Sequence, residues 1–206
     1  MVTGRPRGVD DAVILRTTAE VVGRVGPAGL TLAVVAREVG MVPATLVQRF
    51  GSKRGLLLAL AEQSAKDAGA LFGRTRSEHE PALEALVTLT VESMAPMASP
   101  EMYANHLAFL CIDLTDPQFH QHALAVHQAQ GQAVESLLAE AVSTGALRAG
   151  TDTVALARSV QAATAGTGLM WALDRQGTLA QRLRQGIDTA LSPHLQPPDR
   201  SILEKQ

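Results

Sequence analysis

The residues best suited to binding chemistry are concentrated in the first third of the chain. Arg49 and Lys53 carry positive charge there, and Thr45 and Gln48 supply hydroxyl and amide groups close by. Cationic side chains bind phosphate oxygens, whereas hydroxyl and amide groups can bind base edges in a DNA groove. These residues are therefore candidates for a surface that binds nucleic acid, with a solvated charged surface as the alternative.

Residues typical of enzymes and metal sites form no recognisable pattern. The signatures GxSxG, GxxxxGK[ST], HExxH and CxxC do not occur in the sequence. His120 and His122 would point to different faces of a helix, and His127 lies two turns from His120, so the three are poorly spaced for one ion. We expect no catalytic residue, no metal site and no cofactor.

Composition and charge favour a folded protein with two differently charged parts. The chain has 206 residues, 46% of them hydrophobic, and a single cysteine, Cys111, which suits a reducing interior. Residues 1–66 hold nine Lys/Arg and five Asp/Glu, a balance of +4, whereas residues 67–206 hold nine and fifteen, a balance of −6. No signal peptide or membrane span is evident, because the longest apolar run covers only residues 56–61. We expect a cytoplasmic protein with a basic front part and no membrane partner.

Hydrophobic residues recur every three or four positions between prolines, which is typical of helices. We predict an all-α protein of about nine helices in two domains. Residues 1–52 would form a helix-turn-helix DNA-binding domain with a basic N-terminal arm. Residues 53–206 would form a second helical domain, with residues 53–71 as the linker helix.

Residues 31–50 have the local signals of a helix-turn-helix. Thr31 can cap a first short helix, Gly40 allows a tight turn, and Pro43 suits the first turn of a second helix. Four apolar side chains at helical spacing are predicted to face inward, namely Val35, Val39, Leu46 and Phe50.

The run LTLAVVAREVGMVPATLVQRFGSKRGLLLAL, residues 30–60, resembles the DNA-binding core of the TetR family of transcriptional regulators. The chain departs from the family pattern at Val47, where a phosphate-contacting tyrosine is usual, and at Ala33 and Val42, where polar residues are usual. The elements that carry the resemblance are Leu30-Thr31, Ala36, Gly40, Thr45-Leu46, Phe50, Gly51-Ser52-Lys53 and Leu56.

The resemblance implies a set of DNA-binding residues. Thr45 corresponds to a base and backbone contact, Arg49 to a phosphate contact, and Lys53 to the basic residue that begins the next helix. Arg5 and Arg7 form a basic arm suited to a minor groove, with a solubilising tail as the alternative. The full expected set is Thr31, Pro43, Ala44, Thr45, Gln48, Arg49, Lys53, Arg5 and Arg7.

In TetR-like proteins the later helices enclose an effector site, so large side chains near the break at residues 96–100 are candidates for lining one. Plain core packing is the alternative for each of them. The candidates are Met94, Met102, Tyr103, His106, Phe109 and Trp171.

The last two helices resemble the dimerisation helices of the family. Burial of the same stripe inside one chain remains the alternative. The expected interface residues are Leu156, Val160, Ala163, Thr167, Met170, Leu183 and Ile187.

Together these features imply a homodimeric, ligand-responsive regulator, a repressor, that binds a double-stranded inverted-repeat operator and is released by a small-molecule effector. A helical small-molecule-binding protein or enzyme with a vestigial helix-turn-helix is the alternative.

Overall fold

A computed structural model describes residues 9–78 and 81–196. Within those ranges the chain forms nine α-helices and one 3-10 turn, η1, with an isolated bridge between Leu147 and Leu195 and no strand. The predicted all-α class is confirmed. The helices are α1 Asp11–Gly29, α2 Leu32–Glu38, α3 Pro43–Phe50, α4 Lys53–Glu78, α5 Ala82–Met94, α6 Pro100–Thr115, α7 Pro117–Ser143, α8 Thr153–Asp174 and α9 Leu179–Leu191.

Short polar side chains fix where several of these helices begin. Thr31, Ser99 and Asp152 each accept a hydrogen bond from a backbone amide of the first turn that follows. Thr178 and Gln181 form a reciprocal capping box at the start of α9. Because such signals are local, α2, α3 and α4 begin where the sequence predicts, directly after Thr31, at Pro43 and at Lys53. The end of α4 differs, since the helix runs to Glu78 and not to residue 71.

A kink interrupts α1 near its end. Gly26 has φ 71° and ψ 166°, and Pro27 follows it inside the helix. Pro27 has no backbone N–H, so it cannot donate the usual helical bond to the carbonyl of Gly23, four residues earlier. The Asn105 side chain of α6 donates from Nδ2 to the Gly23 oxygen over 2.8 Å.

The chain divides into two compact units. One unit comprises the chain up to Ala68 together with Pro96–His127, and the other comprises Gly69–Ala95 together with the chain from Gln128 onward. The helix-turn-helix therefore shares a compact unit with α6 and the first part of α7. The buried side chains of this first unit are Ile14, Leu15, Val21, Val22, Leu30, Val35, Ala36, Leu46, Leu56, Leu57, Leu60, Ala61 and Phe119.

The second unit has its own core, built from α5, the later part of α7, α8 and α9. Trp171 is buried there, and its indole Nε1 donates to the Gly177 carbonyl over 3.1 Å, which fixes the turn between α8 and α9. The main buried side chains are Leu86, Leu89, Val134, Leu137, Leu138, Leu147, Leu156, Val160, Ile187 and Leu191.

Across residues 9–78 and 81–196, no helix combines the length and the apolar character that a membrane crossing requires.

Candidate nucleic-acid interface

The turn between α2 and α3 adopts the helix-turn-helix geometry that the sequence predicts. Gly40 has φ 69°, a left-handed conformation that glycine adopts without steric cost. The next amide, that of Met41, donates back to the Ala36 carbonyl over 2.8 Å and closes the end of α2. Val35 and Leu46 are fully buried beneath the turn, so the packing of the two helices fixes which side of α3 faces outward.

The outward side of α3 is largely aliphatic. Val42 is 64% exposed and Val47 is 48% exposed. Pro43, Ala44 and Gln48 are also exposed, whereas Thr45 is half-buried. These side chains form one continuous surface along the second helix of the motif, and this surface contains most of the predicted base-reading residues.

Thr31 has a structural role in the chain. Its hydroxyl accepts a hydrogen bond from the Val34 amide over 3.2 Å and so caps α2. The residue is exposed, so part of its surface remains available beside the motif.

Arg49 connects α3 to the start of α1. One guanidinium nitrogen, Nη1, donates to the Val9 carbonyl over 2.5 Å and to Asp11 Oδ1 over 2.9 Å. The predicted phosphate-binding cation is thus engaged by a carboxylate of its own chain. The predicted arm residues Arg5 and Arg7 lie outside the described residues.

The start of α4 is tied to the junction of α6 and α7. Ser52 Oγ accepts from the Gly55 amide and caps the helix, and Lys53 Nζ lies 3.4 Å from the Ala28 carbonyl. Arg54 donates from Nη2 to Asp116 Oδ2 over 2.7 Å. Arg54 thereby holds the pKa of the Asp116 carboxyl below its usual range.

A cleft of about 370 Å³ opens beside this ion pair. The Arg54 guanidinium lies 5.3 Å from the centre of the Phe119 ring, which is almost fully buried. None of the predicted effector-pocket residues lines this cleft. Its lining residues are Lys53, Arg54, Leu57, Ile112, Asp116 and Phe119.

The predicted effector residues on α6 have several different roles. Met102 packs over Gly23 of α1, where an added Cβ would come within 3.2 Å of the Met102 methyl. Phe109 stacks edge-on against Phe119 with 6.2 Å between ring centres, and Tyr103 is buried. His106 has exposed surface, and the surrounding protein lowers its imidazole pKa by desolvation. Met102, Phe109 and Tyr103 thus take part in internal packing.

The two remaining effector candidates belong to the second compact unit. Met94 is half-buried at the end of α5, and Trp171 is buried with its indole bonded to the α8–α9 turn. The hydrogen bond of the Trp171 indole could not be predicted from the sequence, because the carbonyl that accepts it, that of Gly177, lies beyond the end of α8.

A partly buried carboxyl on α6, that of Asp113, could not be predicted from the sequence. Asp113 has one carboxylate oxygen, Oδ1, that is buried without a hydrogen-bond partner among the described residues. Burial raises the pKa of Asp113 to about 6. An aspartate within a helical pattern usually faces solvent, so neither the type nor the spacing of Asp113 predicted that one of its carboxylate oxygens would be buried.

The described histidines do not form a metal site with other ligands. His120 and His127 are exposed and His122 is half-buried on α7. Within residues 9–78 and 81–196, no group of three or more His, Cys, Asp or Glu side chains is placed to hold a metal ion.

The predicted dimer residues fall into three sets. Leu156, Val160, Leu183 and Ile187 are each at most 3% exposed and pack inside their own chain, which is the alternative that the sequence left open. Met170 is 55% exposed, and its neighbours Leu169 and Leu173 are 46% and 71% exposed. The other two predicted residues, Ala163 and Thr167, are half-buried.

The helix-turn-helix, its outward aliphatic and amide surface, and its packing within an all-helical chain define a DNA-binding protein of the helix-turn-helix class. Residues 14–60 match the family described as bacterial regulatory proteins, tetR family. No curated protein sequence matches the chain.

Solved structures of similar fold cover most of the chain. A protein from Saccharomonospora viridis in complex with choline is 21% identical with a TM-score of 0.72, over 91% of this chain and 98% of that one. SmeT, the repressor of the Stenotrophomonas maltophilia multidrug efflux pump SmeDEF, is 19% identical with a TM-score of 0.66, over 93% of each chain. The SmeT–triclosan complex is 18% identical with a TM-score of 0.67, over 91% and 92%.

The family match at the helix-turn-helix and the fold shared with TetR-family structures support a TetR-type regulator. Members of this family are transcriptional regulators and not enzymes, in agreement with the expectation from sequence.

Proposed function

We propose that the protein is a homodimeric transcriptional repressor that binds an inverted-repeat operator and releases it when a small-molecule effector binds. The observation that carries this proposal is the outward surface of α3 within a TetR-type helix-turn-helix. In helix-turn-helix proteins the second helix enters the major groove, and its N-terminal residues meet the bases. The cytoplasm is the compartment in which such a regulator meets chromosomal DNA.

The exposed side of α8 supports a dimer. Ala162, Ala165 and Gly166 are exposed on it, followed by the exposed Leu169 and Leu173. Small residues allow a second helix to approach closely, and large apolar side chains gain free energy when a partner covers them. This exposed face differs from the buried stripe of Leu156 and Val160.

The packing of α6 against α1 supports a regulatory link. Asn105 is bonded to α1, and Met102 and Tyr103 lie within the same helix, α6. An effector that favours another position of α6 would therefore also act on α1. The shift in DNA affinity is limited by the difference in effector affinity between the two states.

Two solved structures of similar fold hold small molecules, choline in one and triclosan in the other. Both compounds are suitable first probes for release of a bound duplex, followed by a broad library. If the protein keeps its duplex with every compound of the library, it binds DNA without small-molecule regulation.

Selection from a random duplex pool tests DNA recognition. The purified protein is mixed with the pool at about 150 mM salt, where nonspecific attraction is weakened. We expect enrichment of a palindrome with half-sites about one helical turn apart. Uniform binding that changes only with salt would contradict the proposal.

A further inference from the structure

The outward side of α3 leaves aliphatic side chains in water without a partner in the chain. Val42 is 64% exposed and Val47 is 48% exposed, and the exposed Pro43 and Ala44 lie between them. Each of these side chains gains free energy from contact with an apolar surface. In the major groove, the apolar surface on a base edge is the 5-methyl group of thymine.

Hydrogen-bonding capacity on the same helix is limited. Guanine is most often read by an arginine or lysine that contacts O6 and N7. The one cationic residue of α3 is Arg49, and its guanidinium is bonded to the Val9 carbonyl and Asp11 Oδ1. Gln48 is the exposed amide, and an amide suits adenine N6 and N7.

The charge of the surrounding segment favours a polyanion as the partner of this aliphatic surface. Residues 1–66 carry nine Lys/Arg against five Asp/Glu. A duplex supplies both the phosphates that this balance attracts and the methyl groups that fit the aliphatic side chains.

We propose that α3 reads thymine 5-methyl groups, so that each operator half-site is rich in A·T pairs. Pro43, Ala44 and Val47 contact the methyl groups, and Gln48 bonds an adenine of the same half-site. This inference rests on the proposed DNA-binding function, because it names the bases that the same surface recognises.

The test removes the methyl groups and leaves base pairing intact. A duplex selected from the random pool is prepared with deoxyuridine in place of individual thymidines of the half-sites, and its dissociation constant is measured by fluorescence anisotropy. Each contacted methyl is expected to contribute about fourfold in affinity, from the usual value for one buried methyl group. Unchanged affinity at every substituted position would overturn the inference.

The variant Val47→Ser tests whether the effect of the thymine methyl groups on affinity comes from contact with α3. Val47→Ser should bind the thymidine duplex more weakly and lose the difference between thymidine and deoxyuridine at one position of each half-site. Val154→Ser on α8 is the matched control, since Val154 is 43% exposed and lies outside the helix-turn-helix. It should retain the full methyl effect. If Val47→Ser shows the same difference in affinity between the thymidine and deoxyuridine duplexes as the unaltered protein, Val47 does not contact a thymine methyl group.

The outcome also separates this inference from the function on which it rests. Failure to enrich any sequence from the pool would contradict sequence-specific DNA binding itself. Enrichment of a sequence with G·C half-sites would contradict methyl reading alone.

Discussion

Asn105 of α6 donates a hydrogen bond to the Gly23 carbonyl of α1, 82 residues away in the sequence, over 2.8 Å. This bond takes the place of the helical bond that Pro27 cannot make. It joins α1, which precedes the helix-turn-helix, to the helix that carries Tyr103 and His106. The relationship gives α6 a direct connection with α1.

Asn105→Ala is expected to lower the free energy of unfolding by about 1–3 kcal/mol, because a partly buried carbonyl loses its donor. DNA binding should also respond less to an effector, because α6 is less firmly joined to α1. Chemical denaturation measures the first effect. Gln121→Ala, an exposed amide on α7, is the control and should change stability little. Equal stability of Asn105→Ala and Gln121→Ala would show that the bond contributes nothing.

Substitutions of Arg49 and Asp11 are expected to change the affinity for DNA in opposite directions. Arg49→Ala is expected to weaken binding to all duplexes by a similar factor, because it removes a cation that does not read bases. Asp11→Asn should tighten binding to all duplexes, since it removes a negative charge and releases Arg49 from its 2.9 Å ion pair. Anisotropy titrations on random and selected duplexes measure both effects. If Asp11→Asn weakens binding as much as Arg49→Ala, the main role of the pair is to hold α3 against α1.

Thr45→Ala and Gln48→Ala are expected to change sequence preference. Gln48 is exposed on α3 and Thr45 is half-buried beside it. A lost base contact is typically worth about 1–3 kcal/mol at the base concerned. Selection with each variant would show a relaxed position in the half-site. The same loss on random and selected DNA would contradict base reading by these residues.

Titration of the Asp113 carboxyl is expected to make the free energy of unfolding depend on pH. Its pKa is about 6 in the folded chain against an ordinary value of 3.8, so the folded state binds the proton more tightly. The stabilising effect of the protonated form is therefore fully present below about pH 4, and it is lost as the pH rises towards 6. Asp113→Asn should raise the free energy of unfolding at pH 7 by about 1 kcal/mol, less than the full pKa shift corresponds to because solvent screens the partly exposed carboxyl, and change it little at about pH 4.

Denaturant titrations at the two pH values measure the difference. Asp188→Asn is the control, because Asp188 is exposed on α9. A stability change of Asp113→Asn that does not depend on pH would contradict the shifted titration.

The exposed side of α8 is the proposed dimer interface, so a substitution there should dissociate the dimer without unfolding the chain. Leu173 is 71% exposed, so Leu173→Glu should leave the chain folded and shift the protein from dimer to monomer in analytical ultracentrifugation. Leu114→Glu on α6, at a leucine that is 63% exposed, should leave the dimer intact. Leu156→Ala should instead lower the free energy of unfolding by about 2–5 kcal/mol, because Leu156 is 3% exposed inside one chain. A Leu173→Glu protein that remains dimeric would place the interface elsewhere.

The sequence predicted the features that depend on neighbours in the chain. Thr31 and Gly40 begin and end α2 through backbone geometry within a few residues, so the helix-turn-helix could be predicted from type and spacing. The missing donor at Pro27 is also visible in the sequence. The side chain that replaces it could not be predicted, because Asn105 meets Gly23 only through tertiary packing.

Long-range pairing limits the prediction of the site as well. Arg49 has the type and position of a phosphate contact, and its pairing with Asp11 depends on how α3 packs beside the start of α1. The stripe of Leu156 and Val160 has the spacing of a packed helix face. That spacing does not say whether the face is covered by the same chain or by a second copy, and the structure buries it in the same chain.

In the proposed dimer, two copies of α3 read one inverted repeat together. The most direct measurement compares the affinity for the selected duplex with that for the same duplex carrying about five extra base pairs between the half-sites, a half turn of DNA. We predict that the insertion reduces affinity to that of a duplex with a single half-site, because the recognition helices must enter grooves about 34 Å apart on one face. Equal affinity for both duplexes would contradict paired reading by a dimer.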